Sequence, residues 1–84
     1  MITNDESQAL EEVIIKLLLT RDPGKSICPS EVVRILFPLD WRTKMSHVRL
    51  VAGKLMEENV LVITQKNQTV EISAKGPIRL KLKA

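Results

Sequence analysis

Arg42, Thr43, Ser46, His47, Arg49 and Lys54 share a stretch in which Met45, Val48, Ala52, Leu55 and Met56 recur every three or four residues. That period belongs to a helix with one buried face, so most of the polar set falls on the other. With Leu50 beside them, these groups have the chemistry that reads duplex DNA in a major groove. Hydroxyls pair with several base edges, Arg or Lys with guanine or phosphate, and an apolar tip with a thymine methyl. Downstream, Lys66, Asn67, Gln68 and Lys75 cluster around a predicted hairpin turn, where cations follow phosphates or enter a minor groove. Each reading has a plainer rival. Arg42 and Arg49 lie toward the edge of the buried face and serve equally well as structural cations, with carboxylates such as Asp40 as partners. For His47 and Lys54 the plainer role is a solvated helix face. Arg79, Lys81 and Lys83 alternate with apolar residues, and protecting an edge strand from aggregation is sufficient reason for them.

Cys28 and His47 are the residues able to act as nucleophile and base. Cys28 stands between Ile27 and Pro29 at a helix entrance, which favours packing and capping over redox work, although helix N-termini do favour thiolate. A single Cys and a single His are too few for a zinc site, which draws three or four ligands mostly from those types. Gly24, Gly53 and Gly76 are too scattered to form a phosphate-cradling loop. Glu11-Glu12 and Glu57-Glu58 read as solvated helix faces. The sequence therefore predicts no catalytic residues, no metal and no cofactor, and the protein is expected not to be an enzyme.

These residues need a scaffold, and the composition limits what it can be. A chain of 84 residues makes one domain, whose folding buries only about 60% of the surface its unfolded form exposes. Hydrophobic residues at 44% and charged ones at 27% are globular proportions. One Trp, one Phe and no Tyr leave the core to Leu, Ile and Val and weaken any reading that stacks bases on aromatic rings. No internal disulfide is possible with one Cys, and no signal peptide or membrane-spanning run is visible, so a cytoplasmic location is expected. Net charge is +3 but segregated: residues 1–40 hold four Lys/Arg against seven Asp/Glu, and residues 41–84 hold nine against three. The basic half is where a phosphate-bearing partner would bind.

Thr3 or Asn4 can cap a first helix with acidic residues in its first turn. Its apolar stripe is Leu10, Val13, Ile14, Leu17 and Leu18, and truncating Leu17 to alanine is expected to cost about 2–5 kcal/mol. Ile15 and Leu19 fall nearly opposite, a surplus that suits either a helix between two layers or a contact with a second copy or another protein. Arg21-Asp22-Pro23-Gly24 ends the helix. Ser26-Ile27-Cys28 is a short extended link, and Pro29 opens a short second helix that Pro38 stops. Asp40 can cap a third helix running from Trp41 to Glu58-Asn59, where Asn accepts the left-handed cap conformation. Residues 60–65 read as a strand, 66–68 as a turn and 69–72 as its return. Residues 78–83 alternate at period two, and this last strand can pair directly with 60–65, leaving 66–77 as one long wing.

That order predicts an α+β fold: a small winged helix-turn-helix, with three helices followed by a β-hairpin. It fills residues 1–84 as one domain, with the helix-turn-helix at about 29–58 and the wing at about 60–83. The segments Ile27-Cys28-Pro29-Ser30-Glu31-Val32-Val33-Arg34, Asp40-Trp41-Arg42, Val48-Arg49, Ile63-Thr64-Gln65-Lys66 and Gly76-Pro77-Ile78-Arg79-Leu80 together resemble the short bacterial proteins catalogued as domain of unknown function 3253. The resemblance implies a winged-helix type of fold and assigns no activity. It also implies a glycine at the hairpin turn, where this sequence has Asn67. The function expected is nucleic-acid binding, DNA-binding or regulatory, led by helix 3 and the wing through the duplex backbone. The alternative is a protein-protein interaction module or homodimer that does not bind DNA. Double-stranded DNA, a second copy or another protein through helix 1 are the expected partners, and a membrane is not.

Overall fold

The computed structural model describes residues 3–21 and 24–83. Helix α1 spans Asn4–Thr20, and Thr3 is its cap, with the hydroxyl accepting from the Glu6 N–H at 3.1 Å. Asp5 and Glu6 occupy the first turn, where they meet the positive end of the helix dipole. Asp22 and Pro23 of the expected turn lie outside the described residues. Of the anticipated stripe, Leu10, Ile14 and Leu18 are buried, while Val13 and Leu17 pack against the core only in part. Truncation of Leu17 therefore belongs at the lower end of the range given above.

Helix α2, Pro29–Leu36, is capped from within. Glu31 accepts from the Cys28 N–H at 2.7 Å and is ion-paired with Arg21 at the end of α1. The helix closes one residue before Phe37 instead of including it. The expected third helix divides in two: Trp41–Lys44 form a 3-10 turn, and α3 proper is Met45–Glu57. Asp40 does not cap with its carboxylate; its backbone carbonyl instead accepts from the Thr43 N–H and hydroxyl at 3.2 and 2.9 Å. At the far end Asn59 takes φ +63°, and the Asn59 and Val60 N–H groups bond the Met56 and Leu55 carbonyls. These paired bonds across a left-handed residue are a Schellman stop, which turns the chain directly into the sheet.

Strands β1 (Leu61–Gln65), β2 (Gln68–Val70) and β3 (Arg79–Leu82) form an antiparallel sheet in the order β2-β1-β3. Both expected pairings thus occur, with β1 central. Gln65 pairs with Gln68 across a two-residue turn in which Lys66 and Asn67 have φ +53° and +65°. Positive φ at both positions is a type I′ turn, whose twist matches the strands, and Asn tolerates it where glycine was expected. The α1–α2 link joins the sheet as well, because Ile27 and Leu80 exchange two backbone hydrogen bonds of 2.8 Å. One core of Leu, Ile, Val and Ala side chains lies between the helices and this sheet. Three helices followed by a three-stranded sheet make a small α+β domain consistent with a winged-helix layout. Among the described residues no helix is long and apolar enough to cross a membrane.

The return strand is shorter than its sequence suggests. Glu71 and Ile72 leave the sheet, and Ile72 turns onto α3 at Gly53, which is buried instead of exposed. A Cβ at Gly53 would meet the Ile72 side chain at 3.4–3.6 Å, ordinary packing distance. Gly53→Ala is therefore accommodated, and removing a mid-helix glycine should raise stability by about 0.5–1 kcal/mol. Urea denaturation measures this. A destabilised alanine variant would show that the segment sits tighter on α3 than described.

Candidate nucleic-acid interface

Three elements converge on one face: the outer side of α3, the start of α2, and residues 71–78. Together they line an open trough. Leu50, Lys54 and Ile72 form one end, Ser46, Arg49 and Pro77 the middle, and Cys28, Lys66 and Arg79 the other end. The 71–78 segment is held by polar contacts as well as by Ile72. The Gln65 side-chain amide donates to the Lys75 and Pro77 carbonyls at 2.7 and 3.2 Å, and Arg49 donates to the Gly76 carbonyl at 2.8 Å. Gly76 suits its position because its φ is +92°, a conformation strained for any residue with a Cβ.

Most of the polar residues expected on the third helix have partners inside the protein. Thr43 bonds the Asp40 carbonyl, as above. Arg42 is exposed and lies over the Trp41 ring, 4.9 Å from its centroid, and is not among the residues that line the trough. His47 turns Nδ1 toward Glu6 of α1 at 3.3 Å, without the alignment of a hydrogen bond. Lys54 reaches toward Glu11 at 3.9 Å, and Arg49 clamps the wing. Ser46 makes no side-chain hydrogen bond among the described residues and borders the trough. At the hairpin Lys66, Asn67, Gln68 and Lys75 are all exposed. Arg79 is drawn to Ser26, whose carbonyl it bonds at 3.1 Å, and Lys83 to the Asn59 side chain at 2.9 Å.

Cys28 Sγ lies 3.1 Å from Ser30 Oγ, and no hydrogen bond joins it to His47 among the described residues. Nor do three His, Cys, Asp or Glu side chains gather there in a way that could hold a metal. Sequence reasoning missed Gln65 as the clamp of the 71–78 segment and Arg34 as a second guanidinium over Trp41, 4.2 Å from the ring. Gly53 in mid-helix was the available hint that something packs closely on α3.

Two carboxyls are held below their ordinary range. The Lys44 ammonium, bonded to Glu6 at 3.0 Å, lowers that carboxyl; partial burial opposes it, and His47 adds to the lowering. For Glu31 burial is the largest influence and raises the value, but the Cys28 N–H and the Arg21 and Arg79 guanidiniums together outweigh it. A depressed folded value means that stability is fully present above the unfolded value, near 4.5, and is lost as pH falls through the folded value. Urea midpoints should thus fall on acidification below about pH 4.5. Glu6→Gln should be less stable than wild type at neutral pH and show a shallower acid decline. Parallel profiles for the two proteins would mean that the Glu6–Lys44–His47 cluster contributes nothing.

No curated protein matches the chain. The family described as Protein of unknown function (DUF3253) matches residues 7–83, which take in nearly all of α1, both later helices and the whole sheet. The chain belongs to that family.

Proposed function

We propose that this domain binds nucleic acid, most directly double-stranded DNA, by gripping the phosphate backbone with its wing while α3 supplies few base contacts. The observation that carries this reading is the pairing pattern. Of the α3 side chains that would read bases, His47, Arg49 and Lys54 are engaged within the protein and Ser46 alone is not, whereas Lys66 and Lys75 of the wing make no ion pair among the described residues. The type I′ turn puts Lys66 at the exposed tip, and Arg49, beside the trough, retains guanidinium N–H groups beyond the one given to Gly76. On this reading the protein is a binding module and not an enzyme, a regulatory factor working in the cytoplasm with weak sequence preference.

The test is titration of generic duplex DNA at several salt concentrations. Three phosphate contacts, from Lys66, Lys75 and Arg49, predict a log-log slope of about −2.7 at roughly −0.9 per contact. Absence of binding at low salt rejects the proposal. A second reading, a protein-interaction module, is favoured by Leu50, which stands 63% exposed in the apolar end of the trough.

A further inference from the structure

At the corner between α2 and the 3-10 turn, Leu39 is wholly exposed and Ile35 is 56% exposed. Single exposed apolar residues are common, but these two are flanked by an organised cationic group. Arg34 and Arg42 both lie over the Trp41 ring, and neither meets a carboxylate among the described residues. Stacking on an aromatic ring orders a guanidinium while leaving its N–H edge free for a two-pronged contact with a carboxylate. This corner asks for a partner that is acidic and apolar together.

The outer face of α1 has that character. Asp5, Glu12, Ile15 and Leu19 follow one another at seven, three and four residues, which places them on one stripe opposite the buried Leu10, Ile14 and Leu18. Leu19 is 67% exposed, Ile15 is part-exposed, and neither Asp5 nor Glu12 meets a cation among the described residues. The Glu6–Lys44 bond ties the start of α1 to the 3-10 turn that carries Arg42. In a two-fold pair, where each contact occurs twice, each patch meets its complement on the other copy.

We infer that two copies of this chain associate through these surfaces, the Arg34–Leu39–Arg42 corner of each seated on the Glu12–Ile15–Leu19 face of the other. The Arg34–Leu39–Arg42 corner contains no residue of the trough. The inference does not depend on nucleic-acid binding.

Sedimentation equilibrium from micromolar to millimolar chain tests it, with the emission of Trp41, the sole Trp, as a local reporter. A dimer is expected, with an emission shift that follows its formation. Leu39→Lys should weaken association about tenfold or more, the loss typical of a buried anchor. Arg34→Glu and Glu12→Arg should each weaken it, and their combination should recover most of the loss. All these positions are exposed, and unchanged thermal melting at low concentration confirms that the fold is kept. A monomer at millimolar concentration overturns the inference, as does a dimer indifferent to Leu39→Lys. Failure of the charge exchange to restore association overturns it too, since α1 is then not the counterpart.

Discussion

Leu80→Ala is expected to cost about 2–5 kcal/mol, the range for emptying a fully buried leucine site. Leu80 has no exposed surface, and its backbone bridges the Ile27 link on one side and Ile63 of β1 on the other. Its side chain therefore stands where the link, the sheet and the helices meet, and the surrounding backbone is tied by hydrogen bonds that resist collapse into the void. For a chain of 84 residues, total stability is about 4–13 kcal/mol at 0.05–0.15 per residue, so this one change removes a large part of it. Melting should fall by about 10 °C or more. Leu82→Ala, at a half-buried position two residues on, is the control and should lose much less. Equal losses at the two positions would show that Leu80 does not occupy the junction described.

Removing the two wing lysines should have the largest effect on binding. Lys66→Gln with Lys75→Gln leaves one of the three proposed phosphate contacts, so the log-log salt slope should flatten from about −2.7 to about −0.9. Wild-type affinity should fall roughly 40-fold between 50 and 200 mM salt, and that of the double variant only about fourfold. Both side chains are exposed and make no hydrogen bond among the described residues, so folding should be untouched. An unchanged slope would move the contact surface off the wing. Ser46→Ala, by contrast, should alter affinity little and equally across sequences if base reading is minor.

How much of this was legible in the sequence depended on how local the determining physics is. The caps at Thr3 and Asn59, the opening of α2 at Pro29 and the first and last strands follow from neighbouring residues, and the structure has them close to where expected, while the middle strand is shortened. Periodicity placed Leu10, Ile14, Val48 and Leu55 in the core. It could not see long-range pairing. His47 meets Glu6 of α1, and Arg49 meets Gly76 beyond the hairpin, so residues expected to read bases are engaged with distant parts of the chain. The departure of Ile72 from its strand was hidden for the same reason: its alternation is compatible with a strand, and only the bare Gly53 surface across the fold draws it away. The carboxylate partner considered for Arg42 and Arg49 proved to be an indole ring for one and a backbone carbonyl for the other.

Ile72 on Gly53 also sets how quickly different partners can be engaged. A ligand that needs α3 at Gly53 must wait for the 71–78 segment to lift, which breaks the Gln65 and Arg49 contacts together. Its apparent affinity is reduced by the fraction of molecules open at any moment, and its arrival is gated by the opening rate. Phosphates meet no such gate, because Lys66 stands outside it. On the proposed reading, contact with a polyanion at the hairpin tip needs no such opening, and contact with the helix surface at Gly53 follows as a second, slower phase.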